Sequence, residues 1–162
     1  MRPLLETPFL AAAVLVTLLA GSALAQQGPV NSTDPAMVAQ AVLDRFDAAY
    51  NRHDAAGIAA LYTQDGNQLP AHALIDLGPI VSGRANITRF FSNAFHAFSK
   101  QSQKVVKAGA IGDGGIWYIG ELHLSGDGGR KMNGVESGIL VREGEAWQLR
   151  MTTATANLPL KP

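Results

Sequence analysis

The sequence of 162 residues contains no cysteine. Disulfide bonds, thiolate nucleophiles and cysteine-ligated zinc or iron–sulfur sites are therefore excluded. The net charge is zero, because 13 lysines and arginines balance 13 aspartates and glutamates. Without a basic field, nucleic-acid binding is not expected, and neither is a charged membrane-surface role. The domain must be held by its core, and 47% hydrophobic residues in a chain of this length are enough for one.

Long hydrophobic runs are lacking as well, apart from residues 9–20 near the N-terminus. This run is shorter than the roughly 20 residues that a membrane span needs. Arg2 precedes it, and the small-x-small sequence of residues 23–25 follows it. This order predicts a secretory signal peptide over residues 1–25, with an uncleaved N-terminal anchor as the alternative. A lipoprotein anchor is excluded because no cysteine is present.

Removal of the signal predicts a secreted or periplasmic protein that has no membrane segment after cleavage. Residues 26–33 are polar with glycine and proline and predict a flexible tail. Residues 34–157 form the predicted domain. Residues 158–162 contain two prolines and predict a C-terminal tail that cannot pair in a sheet.

Apolar residues at helical spacing predict three helices in the first part of the domain. The first begins at Asp34, an N-cap acid before proline, and ends near Asn51. Asp54 caps a second, shorter helix, which Asp65 and the following glycine should end. The third helix has an apolar stripe over residues 87–98, which follows the i, i+3, i+4, i+7 rule.

The remaining segments predict strands. Residues 67–83 contain proline and glycine and predict two short strands with an irregular connection. After Lys100 the apolar period changes to two, and three glycine-rich turns separate the strands. The predicted long strands include Val105-Val106, 116–124, 135–141 and 147–155. The order predicts an α+β fold, with the three N-terminal helices on one face of a curved antiparallel sheet.

Three segments carry motifs of a known superfamily. Residues 45–65 contain Asn-x-x-Asp at the joint of two helices, 78–87 have the sequence Gly-Pro-Ile-Val-Ser-Gly-Arg-x-x-Ile, and 142–150 contain a closing tryptophan strand. The chain thereby resembles the nuclear transport factor 2-like superfamily, which includes ketosteroid isomerases and SnoaL-like cyclases. It is most similar to small secreted SnoaL-like domains of the DUF4440 or SgcJ/EcaC type. The resemblance implies a cone-like fold with an apolar pocket, and a homodimer.

The resemblance also allows a test for isomerase chemistry. In that branch a carboxylate moves a proton, while a tyrosine and a protonated aspartate hold the oxyanion. The matching positions here are Phe46, Pro70 and Gly138, none of which can ionise. Steroid-isomerase chemistry is therefore not expected, and whether the protein is an enzyme stays open.

The strand at 116–124 has two faces, and two arguments assign them differently. Matching residue positions with the ketosteroid isomerases places Glu121 and His123 on the face that points into the cone. Trp117 and Ile119 lie on the same face. Apolarity alone turns the even-numbered residues inward. We follow the count, which makes the odd-numbered face the predicted pocket wall.

The candidate acid/base residues are Glu121, His123 and Glu136. A metal site would need His72 or Glu136 as a third ligand, and no ligand spacing supports it, so no metal and no cofactor are predicted. The alternative for Glu121 and His123 is an exposed face. The alternative for Glu136 is a surface acid or an ion-pair partner of Arg150.

The preferred hypothesis is an exported domain whose apolar pocket binds a small hydrophobic molecule, without established catalysis. One alternative is an isomerase, cyclase or hydrolase that uses the candidate acid/base residues. Another is a structural module that dimerises through the outer face of the sheet. The predicted pocket residues are Phe46, Tyr50, Tyr62, His72, Phe91, Trp117, Ile119 and Gly138.

Overall fold

The computed structural model describes residues 33–70 and 80–156. The predicted signal peptide, nearly all of the predicted N-terminal tail, the predicted C-terminal tail and His72 lie outside these residues. The described helices are α1 (Pro35–Asn51), α2 (Ala55–Ala60) and α3 (Arg84–Ala94). The strands are β1 (Tyr62–Leu69), β2 (Val81–Ser82), β3 (Lys100–Ile111), β4 (Gly115–Ser125), β5 (Lys131–Glu143) and β6 (Ala146–Ala156). No helix in this part of the chain combines the length and apolarity needed to cross a membrane.

The helix starts agree with the predicted caps. The Asp34 carboxylate accepts a hydrogen bond from the backbone N–H of Ala36 at 2.9 Å. The Asp54 carboxylate accepts one from Gly57 at 2.7 Å. Each carboxylate satisfies a backbone donor that has no partner within its helix.

The end of α2 differs from the prediction. The helix ends at Ala60, and β1 continues through Asp65 and Gly66, which were predicted to stop it. Tyr62 pairs instead with Leu149 of β6, whose N–H donates to the carbonyl of Leu61 at 2.8 Å. Pairing with a distant strand therefore overrides the local turn signal.

The six strands form one sheet in the order β2-β1-β6-β5-β4-β3. Strands β3 to β6 form the predicted antiparallel meander. The α+β prediction is confirmed, with one correction: β1 pairs with β6 in parallel, so the sheet is mixed and not antiparallel throughout. A parallel pair needs a long crossover, and here the chain from α3 to β5 supplies it.

The glycine-rich segments form the predicted turns. Gly112 between β3 and β4 has φ +55°, and Gly128 between β4 and β5 has φ +69°. Residues with a side chain rarely adopt these backbone angles, so glycine is favoured here for its conformational freedom.

The core lies between the helices and the inner face of the sheet. Phe46 of α1 is buried and contacts the ring of Phe91 of α3 at a centroid distance of 5.3 Å. The inner face of β4 consists of Ile116, Tyr118, Gly120, Leu122 and Leu124, all buried.

Strand β3 is an edge strand, and α1 covers that edge. Three polar side chains of α1 hydrogen-bond to alternate backbone groups of the strand, over residues 101–105, and thus replace a neighbouring strand. The bonds join Asn51 to Gln101, Asp47 to Gln103, and Gln40 to Gln103 and Val105.

Candidate functional site

A cavity lies between α1, α3 and the inner face of the sheet. Its empty volume is about 620 Å³, including the open mouth. Most of the lining is apolar. Polar side chains interrupt it: Gln68, Gln101 and Glu136, and Asn93 of α3. The helices and the segment after α3 contribute Phe46, Tyr50, Phe90, Phe91 and Phe98, and the sheet contributes Leu122, Leu124, Met132 and Ala154.

The helical wall is an aromatic cluster with edge-to-face contacts. The rings of Phe90 and Phe91 lie 4.9 Å apart, and those of Tyr50 and Phe91 lie 6.2 Å apart. The Tyr50 hydroxyl donates to the carbonyl of Phe98 at 2.9 Å, which ties α1 to the segment after α3. Burial raises the pKa of Tyr50 to about 12, so this hydroxyl keeps its proton and acts as a donor.

Gln68 is held in one orientation by buried hydroxyls. Its carbonyl oxygen Oε1 accepts a hydrogen bond from Tyr62 at 2.6 Å and another from Thr152. The two hydroxyls also contact each other at 2.8 Å. Because the amide oxygen is used inside the wall, the NH₂ group is the part of Gln68 left for the cavity.

Gln101 leaves the opposite hydrogen-bonding group for the cavity, an acceptor where Gln68 leaves a donor. Its amide nitrogen Nε2 donates to the carboxylate of Asp47 at 3.0 Å, so its carbonyl oxygen is left for the cavity. Burial raises the pKa of Asp47, and hydrogen bonds from Gln101 and from the backbone N–H of Gln103 oppose that rise.

Glu136 is the ionisable group of the cavity wall. It is 5% exposed, and its Oε1 accepts a hydrogen bond from the Tyr118 hydroxyl at 3.0 Å. Burial raises its pKa to about 7; the Tyr118 bond opposes this, and the charge of Asp47 adds to it. Gln103 also lowers this pKa, although in the described chain its amide atoms make no hydrogen bond of ordinary geometry. A group with this pKa gains and loses its proton near neutrality.

The sequence model of the SnoaL-like domain matches residues 43–153, which is most of the chain. The chain belongs to the SnoaL-like domain family. The predicted membership of the nuclear transport factor 2-like superfamily is thereby confirmed, while the DUF4440 type stays a prediction.

Solved structures share the fold of this SnoaL-like domain at low sequence identity. A domain of unknown function with a cystatin-like fold from Nostoc punctiforme has a TM-score of 0.67 and 17% identity, over 80% of this chain and 81% of that one. A ketosteroid isomerase-like protein from Erwinia carotovora atroseptica has a TM-score of 0.64 and 15% identity, over 79% and 100%.

An NTF2-like protein of unknown function from Shewanella oneidensis has a TM-score of 0.62 and 12% identity, over 75% of this chain and 99% of that one. No curated protein matches the chain. At these identities the likeness to solved structures establishes the fold and not the chemistry.

Of the predicted pocket residues of the SnoaL-like domain, Phe46, Tyr50 and Phe91 lie in the cavity wall. Tyr62 lies behind the wall, fully buried, where it holds Gln68. Gly138 lies beneath the Tyr118 side chain, and a Cβ added there would be 2.7 Å from the tyrosine oxygen.

The predicted orientation of β4 is wrong. Glu121, His123 and Ile119 are exposed, and Trp117 is half-buried on the same outer face, so none of them lines the cavity. The even-numbered face is the more apolar one, and its burial decides the orientation. Glu121 and His123 contact each other at 3.8 Å in the solvent.

Glu136 is neither a surface acid nor the partner of Arg150. Arg150 pairs instead with Asp65 of β1, and both of these side chains are exposed. Within residues 33–70 and 80–156, no three histidine, aspartate or glutamate side chains come together in a way that could hold a metal ion.

Four polar residues of the site were not predicted from the sequence: Gln68, Asn93, Gln101 and Asp47. Gln101 and Gln103 alternate with exposed residues at the start of β3, which is a period-two signal for an inward face. Polar residues at such positions are ordinarily assigned to a surface, so the pattern alone did not identify them.

Proposed function

We propose that this SnoaL-like domain binds a small, largely apolar molecule in the cavity between α1, α3 and the sheet. The observation that carries the proposal is the lining itself, an aromatic and aliphatic wall interrupted by a few polar side chains. Such a concave apolar site with few polar groups is the usual form of a small-molecule pocket.

The proposal can be tested with N-phenyl-naphthylamine, an uncharged apolar fluorophore. We expect saturable binding with a stoichiometry of one per chain. The Ala94→Phe substitution fills the cavity from α3 and should weaken binding by about tenfold or more. Ala85→Phe is the matched control, because Ala85 is exposed on the same helix.

Equal binding by the two variants, or no saturable binding to the unmodified chain, would contradict the proposal. Native mass spectrometry of protein purified from its host complements this titration. A retained small molecule would identify the ligand class directly.

A second candidate function is proton-transfer catalysis by Glu136. It is supported by the burial of this carboxyl in the cavity wall and by a pKa of about 7, the range in which a general acid or base is most effective. Glu136→Gln would then abolish turnover of a bound molecule while leaving its affinity within about threefold. Unchanged turnover would rule out this role.

We also propose a homodimer through the outer face of the sheet. Val135, Ile119 and Val106 are 41%, 40% and 63% exposed, which supports an apolar contact surface on this side. Ile119→Lys should convert a dimer to a monomer in analytical ultracentrifugation. A monomeric unmodified chain at high concentration would contradict the proposal.

Export is proposed from the N-terminal sequence alone. Expression of the full chain in a bacterial host, followed by cell fractionation, should place the protein outside the cytoplasm. N-terminal sequencing should then begin at Gln26. A cytoplasmic protein that retains Met1 would contradict the signal-peptide interpretation.

A further inference from the structure

An open groove lies on the outer face of the sheet, at the end where the chain passes from β4 to β5. The first residues of β3 and β5 and the last residues of β4 form it. Six of its lining residues lie on the outer face, and all six are polar. They form two rows across the sheet, one of Lys100, Ser125 and Lys131 and the next of Ser102, His123 and Asn133.

Strand pairing places two lysines on either side of a serine. Lys100 of β3 is in register with Ser125 of β4, and Ser125 is in register with Lys131 of β5. Neighbouring strands lie about 4.8 Å apart, so the two lysines leave the sheet about 10 Å from each other. Two side chains of this length can reach one small ligand that lies above the serine.

Both lysines have N–H groups left for a ligand. Lys100 Nζ donates to the carbonyl of Asn51 at 3.1 Å, which uses one of the three donors of an ammonium group. Lys131 is exposed, and its ammonium makes no hydrogen bond or ion pair with the described residues. The groove therefore contains two cations whose charge is not neutralised by a direct contact.

The neutral side chains of the groove add further donors. His123 Nδ1 and Asn133 Oδ1 lie 2.8 Å apart. Because the amide oxygen can only accept, the ring donates to it, and the NH₂ group of Asn133 stays unbonded within the described chain. The hydroxyls of Ser102 and Ser125 make no hydrogen bond with the described residues either. This set of donors suits a ligand whose oxygens are all acceptors.

The acids near the groove are offset by other bases. The next row of the outer face contains Glu121 of β4, in register with Lys104 of β3. The turn between β4 and β5 contains Asp127, and Arg130 follows it three residues later. The positive charge of the two groove lysines therefore remains, although the net charge of the whole chain is zero.

We propose that this groove binds the phosphate group of a small soluble phosphate monoester. Lys100 and Lys131 contact the dianion from two sides, while Ser125 and Asn133 donate to its remaining oxygens. Hydrogen bonds between an ammonium and an anionic oxygen are stronger than those between neutral groups. The site lies on the opposite face of β4 from the apolar cavity, so it is independent of the ligand binding proposed there.

The composition of the groove favours a soluble ligand over a membrane. None of its six outer-face side chains is apolar, so none of them would insert into a bilayer. The proposed dimer contact uses the adjoining rows, with Val135 and Ile119, so the groove can stay open at the end of the sheet.

Three anions test the site in NMR titrations of the ¹⁵N-labelled protein: inorganic phosphate, phenyl phosphate and benzoate. The titrations use about pH 8, where a phosphate monoester carries its second charge, and low salt, because screening weakens an exposed site. We expect saturable shifts of the backbone amides of residues 100–102, 123–125 and 131–133 with both phosphates. Benzoate, which has a single charge and no phosphate group, should bind about tenfold more weakly or less.

Variants at exposed positions separate the groove from diffuse charge. Lys131→Gln should weaken phenyl phosphate by about tenfold, and Ser125→Ala by about threefold. Lys107→Gln is the matched control, because Lys107 is an exposed lysine of the same sheet, in register with Ile119 outside the groove. It removes the same charge and should change the affinity by less than about twofold.

Several results would overturn the proposal. They are equal losses in Lys131→Gln and Lys107→Gln, benzoate bound as tightly as phenyl phosphate, shifts confined to other residues, and no saturable binding. Cosedimentation with vesicles that contain phosphatidic acid would overturn the assignment to a soluble ligand. Binding of N-phenyl-naphthylamine should be the same in Lys131→Gln and in the unmodified chain, so the failure of this site and the failure of the cavity are observed separately.

Discussion

The two faces of the sheet place similar carboxylates in opposite environments. Glu136 of β5 pairs in register with Gly120, the residue next to Glu121 of β4. The two acids are thus close in the sheet, yet Glu136 is 5% exposed, while the Glu121 side chain is 56% exposed.

The difference shows that the face, and not the residue type, determines what a carboxyl group can do. On the outer face, Glu121 lies 3.8 Å from His123 in a solvent that screens their attraction. On the inner face, Glu136 has lost most of its hydration and retains a single tyrosine donor, so its proton affinity rises. Substitutions on the two faces should therefore differ in size and in pH dependence.

The largest contrast is expected for Glu136→Gln. The folded-state pKa of about 7 lies above the ordinary 4.5, so the stability linked to this carboxyl is complete at low pH and is lost as the pH rises through 7. From about pH 5 to about pH 8 the variant should gain about 3 kcal/mol relative to the unmodified chain, measured by urea unfolding. A pH-independent difference would contradict the burial of the charge.

Gly138→Ala tests how closely the inner face is filled. An added Cβ would lie 2.6 Å from the Met151 carbonyl oxygen and 2.7 Å from the Tyr118 oxygen, and the first of these is backbone that cannot move aside. We expect a loss of about 2 kcal/mol in the free energy of unfolding. Ser137→Ala, on the opposite face of the same strand, is the control and should change stability little.

Tyr62→Phe should have a smaller effect. The substitution removes the hydroxyl that bonds Gln68 and Thr152, but these two side chains remain bonded to each other. Calorimetry should detect a loss of about 1 kcal/mol. A loss several times larger would mean that this hydroxyl also holds Glu136 in place.

Glu121→Gln should have the smallest effect. The side chain is exposed, and its contact with His123 is a surface pair. We expect a change below about 0.5 kcal/mol at both about pH 6 and about pH 8. A change as large as that of Glu136→Gln would mean that the outer face is covered in the native assembly.

Much of the fold was predictable because local chemistry and the final structure agree. Asp34 and Asp54 cap helices, and the glycine turns separate the strands of the meander, as their sequence signals indicate. The parallel pairing of β1 with β6 was not predictable, because no local signal reports which distant strand supplies the partner of Tyr62.

The site was less predictable than the fold. The aromatic wall was predictable from the helical spacing of apolar residues, since Phe46 and Phe91 were predicted pocket residues and both line the cavity. The inward face of β4 was predicted wrongly. The prediction relied on matching residue positions with the isomerases, whereas the apolarity of the even-numbered residues indicates the correct face. The inward glutamines were missed because polarity alone does not distinguish a buried, paired amide from a surface one. Their identification needs the partners Tyr62 and Asp47, which lie far away in the sequence.

The cover that α1 provides for the edge of β3 has a consequence for self-association. A bare edge strand can accept a strand from another molecule, and repeated addition of this kind leads to fibrils. Here, over residues 101–105, the sites for such an addition are already occupied by the side chains of Gln40, Asp47 and Asn51. An intruding strand would have to displace the longest helix of the domain before it could form its first hydrogen bonds there.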